Sequence, residues 1–177
     1  MKGRDPSIKG AEEYTEFIIG LNLAILYMNT GELEKAIEAM NGISGSVDHV
    51  LKRAYIDQFH IEYAPACFGL GRAEEGAAHA DIVIGRLEQD GNRSLHSVPV
   101  NCLNLCETLV RHDEYARAMR LIELIRADVE RENDPRVMGT LCRVLALYAH
   151  KRGDAETAAE SYARYCEYVD LRDQNRL

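Results

Sequence analysis

The stretch Leu105-Cys-Glu-Thr-Leu-Val-Arg-His-Asp113-Glu-Tyr-Ala-Arg-Ala118-Met-Arg-Leu-Ile122 decides the fold, because the chain says nearly the same thing three more times. In it an apolar helix carrying a small residue, Cys106, runs into a turn residue, Asp113. A ring follows at Tyr115, a small residue at Ala118 and a bulky apolar one at Ile122. The same order returns as Leu145, Ala146, Ala149, Gly153, Ala155, Ala158 and Tyr162. Upstream it reads Tyr63, Ala64, Cys67, Gly71, Ala73, Gly76 and Ala80, and before that Leu23, Ala24, Tyr27, Gly31, Leu33, Ala36 and Met40. The turn residues Gly31, Gly71, Asp113 and Gly153 are 40, 42 and 40 positions apart. A fixed period of this size marks an array of supersecondary units.

Each unit reads as two antiparallel helices. Phe17, Ile18, Leu21, Ile25 and Met28 recur at helical spacing, as do Leu33, Ile37 and Met40 beyond the turn. Start signals stand at Ser97 before Val98-Pro99, at Asp134 before Pro135, and at Asp113 and Asp154, read as caps of their units' second helices. Breakers separate the units at residues 41–46, 90–94 and 133–135. No run alternates with period two long enough for a strand. The fold class is therefore all-α, in one domain over 1–177 with units of about 13–43, 47–89, 97–132 and 135–174. Ala24, Ala64, Cys106 and Ala146 face Ala36, Gly76, Ala118 and Ala158 where the two helices of a unit cross, since close approach requires small residues on both sides. One pair cannot bury its stripe alone, so the pairs are expected to stack.

Composition narrows the partners. Lys plus Arg is 21 against 29 for Asp plus Glu, a net charge of −8 without a basic cluster, which argues against nucleic acid. The longest uncharged run, Phe17 to Gly31, spans roughly 22 Å as a helix, short of a bilayer core of ~30 Å. No membrane span is expected, and the charged N-terminus lacks the apolar region of a secretion signal. Five Cys without paired short spacings point to reduced thiols and a cytoplasmic chain.

Local chemistry is sparse. Gly69-Leu-Gly71 with Gly76 lacks the preceding strand of a phosphate-binding fingerprint and reads as helix, turn, helix. Cys102 and Cys106 lie one turn apart, yet no further ligand stands at metal spacing, and the repeat wants a small core residue at Cys106 and Cys67. The six His form no HxxxH or HExxH, and acidic pairs such as Glu12-Glu13 and Glu74-Glu75 coat helix starts. Pro65 inside the first helix of the second unit implies a kink, a later helix start, or a groove opened for a ligand. No catalytic residue, metal or cofactor is expected. An enzyme or metal site around Cys102, Glu107 and His150 is the alternative kept from a different class.

The repeated pattern resembles the tetratricopeptide repeat over nearly the whole chain. It departs from that family in having no Trp, in lacking the closing proline and in its longer period, and so is similar to the extended variants of bacterial signalling proteins. The run Tyr162-Ala-Arg-Tyr165-Cys-Glu-Tyr168-Val-Asp-Leu-Arg-Asp173 resembles the closing helix of sensory regions that precede a GGDEF diguanylate cyclase domain, although no GGDEF motif occurs in this chain. The resemblance implies a right-handed α-solenoid of about four hairpins whose first helices line a concave groove. Carried over, that lining is Ile18, Leu21, Ile25 and Met28, then Gln58, Ile61 and Phe68, then Val100, Leu103 and Glu107, then Thr140, Arg143, Leu147 and His150. Leu21 and Ile25 replace the family's carboxylate-clamp Lys and Asn, so a chaperone-tail receptor is not expected. The implied function is a non-catalytic protein-interaction or sensor module, the N-terminal regulatory part of a signalling protein. A stand-alone adaptor or co-chaperone-like scaffold is the alternative. The expected partner is a protein or peptide segment such as an amphipathic helix, or a second copy through the C-terminal helix. Leu21→Asp or Phe68→Asp is expected to abolish binding and leave helicity intact.

Overall fold

The four residues marked by the period are where the backbone turns left-handed. φ is +79° at Gly31, +72° at Gly71, +63° at Asp113 and +78° at Gly153 in the computed structural model, which describes residues 6–45, 53–89 and 99–174. These turns share one hydrogen-bond pattern. The N–H of the turn residue donates three residues back, Gly31 to Met28 O, Gly71 to Phe68 O, Asp113 to Val110 O and Gly153 to His150 O. The next N–H donates five back, from Glu32, Arg72, Glu114 and Asp154 to the carbonyls of Tyr27, Cys67, Leu109 and Ala149, at 2.8–2.9 Å. This is the Schellman ending of a helix, and it needs a residue that tolerates positive φ. The residue after each turn then opens the next helix. Its carbonyl accepts from the small residue four positions on, namely Ala36, Gly76, Ala118 and Ala158. The turn thus fixes which residue of the second helix comes first to the crossing.

Among the described residues there are eight α-helices and no strand: α1 Pro6–Asn29, α2 Leu33–Ser44, α3 Arg53–Gly69, α4 Ala73–Gln89, α5 Pro99–Arg111, α6 Tyr115–Glu132, α7 Pro135–Lys151 and α8 Ala155–Gln174. The first hairpin begins at Pro6 instead of residue 13, so α1 is longer than its apolar stripe. The expected starts at 47 and 97, the Ser97 cap and the whole breaker at 90–94 lie outside the described residues. Asp134 caps α7, its carboxylate accepting from the N–H groups of Arg136 and Val137 with Pro135 next to the cap, and Asp154 accepts from the Thr157 N–H. Asp113 does not cap α6. It occupies the left-handed turn position, and its carboxylate accepts instead from the Tyr115 hydroxyl at 2.6 Å and the Lys151 ammonium at 3.1 Å. α3 runs unbroken through Pro65, which excludes a later helix start. None of these helices is long and apolar enough to cross a membrane.

The chain divides into two compact units, Met1–Ala80 and Asp81–Leu177, with the divide inside α4. In the first, α1 and α2 pack together and α3 lies against both. Phe17, Leu21, Ala24, Met40, Phe59, Tyr63 and Cys67 belong to its core. Gly76 lets α4 close on α3, for a β-carbon there would meet the Phe68 ring at 2.8 Å and the Ala64 carbonyl oxygen at 3.0 Å. In the second unit α5 packs on α6 and α7, and α7 on α8. Leu103, Leu105, Leu109, Leu121, Ile122 and Ile125 are completely buried there. Arg117 of α6 reaches across to Asp81 of α4 with two bonds of 2.8 and 2.9 Å, and Arg120 reaches Glu88 at 2.8 Å. α8 closes the unit without one fully buried residue, and leans Tyr165 and Tyr168 on Gly139 of α7.

Candidate binding cleft

Three helices of the second unit bring charged and apolar side chains to one opening. α5 supplies Glu107 and Arg111, one turn apart. α7 supplies Arg143, Ala146, Leu147 and His150 at spacings of three, four and seven, and α8 supplies Ala158 and Tyr162. Together they line a cleft of about 340 Å³, within the size range of ligand sites. Small residues make the room: Ala146 and Ala158 leave space between α7 and α8 that longer side chains would fill.

Glu107 anchors the charge pattern. Its side chain is only 13% exposed, and each carboxylate oxygen has its own arginine. Oε1 accepts from Arg111 Nη2 at 2.7 Å and Nε at 3.2 Å, while Oε2 faces Arg143 Nη1 at 2.5 Å. One carboxylate between two guanidinium groups leaves a local excess of one positive charge. The arginines are the more exposed partners, at 61% for Arg111 and 38% for Arg143, so the positive ends face solvent. Beside them Leu147 and the half-exposed ring of Tyr162 present apolar surface, and His150 stands exposed at the end of α7. The arrangement suits a ligand with an apolar body and an acidic group.

The structure gathers Glu107, Arg143, Leu147 and His150 from the expected lining and distributes the remainder elsewhere. Leu21, Ile61 and Phe68 are buried inside the first unit and Leu103 inside the second, so they pack helices together and do not line an open surface. Ile18, Ile25 and Met28 lean half-buried on the first unit's core. The reason is rotational: the stripe that meets the neighbouring helix is the one the sequence makes most apolar, and Ile19, Leu23 and Leu26, a step round α1, are exposed. Gln58 is half-buried and bonded to Glu62 at 2.5 Å. Val100 is half-buried too, and the Thr140 hydroxyl is turned back to the Arg136 carbonyl at 2.8 Å. Arg111 escaped the sequence reading, although its position four residues after Glu107 is the spacing at which a helical Glu and Arg pair. Tyr162, Ala146 and Ala158 were legible as repeat positions but not as lining.

Thiol chemistry does not enter this cleft. Cys102, Cys106, Cys67 and Cys142 are buried and form no disulfide, and Cys166 is exposed. Burial pushes the Cys67 thiol up to about 12 and raises those of Cys106 and Cys142, so these remain protonated at neutral pH. Cys102 is fully buried and does not line the cleft that holds Glu107 and His150. Among the described residues no group of three or more His, Cys, Asp or Glu converges as metal ligands. No protein-family model matches the chain, and no curated protein or solved structure is found similar to it.

Proposed function

We propose that the chain is a non-catalytic helical-repeat module, four tetratricopeptide-like hairpins in a right-handed solenoid, that holds a protein segment in the α5–α7–α8 cleft. The repeat assignment is supported by four turns with a left-handed residue at the same place and the same hydrogen bonds, at a period of 40–42. The binding role rests chiefly on one observation, the Arg111–Glu107–Arg143 cluster set beside Leu147 and Tyr162. An amphipathic helix fits it, with an apolar side chain resting on Leu147 and Tyr162 and a carboxylate meeting the outward guanidinium groups. α8 gives the module its output. It shares Tyr162 with the cleft, packs along α7 and buries no residue fully, so a bound segment bears on a helix that is not anchored in the core. That coupling is what a regulatory region of a bacterial signalling protein, such as one of the diguanylate cyclase class, requires.

Random-peptide display against the purified chain tests this reading. Enriched peptides should carry an acidic residue within one helical turn of a large apolar one. They should lose affinity by tenfold or more on Arg143→Glu or Leu147→Asp, with helical content preserved. Peptides that bind both variants as well as the parent would overturn it.

A further inference from the structure

Arg143 meets Glu107 through Nη1, so Glu107 does not occupy the Nε–Nη2 edge of that guanidinium. This edge is the one with which an arginine grips a carboxylate by two parallel bonds, as Arg117 grips Asp81 at 2.8 and 2.9 Å. We propose that the α5–α7–α8 cleft is also the receptor site of a small arylalkyl monocarboxylate, which takes the place of the bound segment and so regulates the module. The proposal rests on the cleft being the open binding surface of the module, and it adds a second occupant.

Volume sets the size of that occupant. One turn of an α-helix, about 10 Å across and about 5.4 Å long, fills about 400 Å³. The cleft offers about 340 Å³. A helical segment therefore lies across the opening and sends in one apolar side chain and one carboxylate. A cavity of about 150 Å³ holds benzene, so in proportion this one holds about 14 non-hydrogen atoms. That is the size of a ring, a short alkyl chain and an acid group in one molecule.

Charge sets the acid. Two guanidinium groups against one carboxylate leave a surplus of one positive charge, which a monoanion balances. Lys151, next to His150, adds nothing to it, since its ammonium is held by Asp113 at 3.1 Å and by the Arg111 carbonyl at 3.3 Å. A dianion would bring a second negative charge up to Glu107, whose burial leaves it poorly screened. The walls set the body. Ala146 and Ala158 leave the space between α7 and α8, and Leu147 and the Tyr162 ring border it. An aryl ring fills that space and packs offset or edge-on against tyrosine. The ligand thereby touches α8 at Ala158 and Tyr162, the helix on which a bound segment bears.

The test is an NMR titration of the full chain with 4-phenylbutyrate and with its neutral analogue, 4-phenylbutyramide. The acid should shift Ala146, Leu147, Ala158 and Tyr162 in a saturable way, with a dissociation constant of about 1 mM or tighter. The amide should bind at least tenfold more weakly. Arg143→Met, which keeps the apolar stem, should weaken the acid by a similar factor. Equal binding of acid and amide, shifts outside the cleft, or no saturation below about 10 mM would overturn the proposal. If Arg143→Met fails to fold, the comparison of acid with amide on the parent decides alone. Display-selected peptides are then challenged with the acid, and displacement is expected. Acid that binds without displacing a selected peptide would overturn the regulatory role. Peptides that depend on Arg143 while the acid fails to bind would leave the segment reading standing and sink this inference. Acid binding with no peptide selected would do the reverse.

Discussion

At Gly76 an added β-carbon would stand 2.8 and 2.9 Å from two atoms of the Phe68 ring and 3.0 Å from the Ala64 carbonyl oxygen, while at Gly85, further along α4, it would meet nothing within 4 Å. The two glycines thus make opposite predictions. Gly76→Ala should destabilise the chain by about 1–2 kcal/mol, because overpacking outweighs the gain in helix propensity. Gly85→Ala should stabilise it by about 0.5–1 kcal/mol for want of any clash. Urea titrations of both variants check the pair, and an equal effect of one sign would refute the close crossing of α3 and α4. His79 supplies a pH prediction at the same scale. Burial holds its imidazole below the ordinary value, so near pH 6.5 the unfolded chain takes up a proton that the folded chain refuses. The contribution is complete above that pH and is lost as pH falls through the lower folded value. The opposing field of Glu75 reduces it without reversing it. Stability measured from pH 7.5 to 5 should decline in the parent and decline less in His79→Phe.

Among the helices, α6 and α8 occupy matching places in successive hairpins but differ in burial. α6 buries Ala118, Leu121, Ile122, Ile125, Asp128 and Val129, whereas α8 has no buried residue and rests on α7 through half-buried Tyr165 and Tyr168. Local opening costs least where the fewest apolar contacts are broken. Native-state hydrogen exchange should therefore find α8 amides exchanging faster than those of α6 by an order of magnitude or more. Equal protection would remove α8 as a mobile output. The helices and turns were legible in the sequence because Gly31, Gly71 and Gly153 are the residues a left-handed turn demands, and because period 3.6 is strong in α2 and α7. Asp113 misled for a physical reason. Aspartate serves both as a helix cap and as one of the few non-glycine residues that tolerate positive φ, and spacing alone does not choose between them.

For the molecule as a whole, the sequence distinguished apolar from polar positions but not which apolar face stays open. Leu21 and Phe68 follow the same helical spacing as a groove lining, yet both are buried. Leu21→Asp should accordingly unfold the first unit, with loss of helical circular dichroism, because a buried unpaired carboxylate costs several kcal/mol. Leu147→Asp, on the half-buried wall of the cleft, should keep its helical signal. The part of the site that was readable, Glu107 with Arg143, Leu147 and His150, belongs to α5 and α7, the first helices of successive hairpins, which pack on one another. The part that was not, Arg111 and Tyr162, depends on how α5 and α8 present their outer faces, which no period within one helix records. The most direct measurement is an amide and side-chain NMR titration with an acidic, amphipathic peptide selected by display. The account predicts shifts concentrated at Glu107, Arg111, Arg143, Leu147, His150 and Tyr162, whereas shifts confined to the first unit or to the Ile19–Leu26 face of α1 would contradict it.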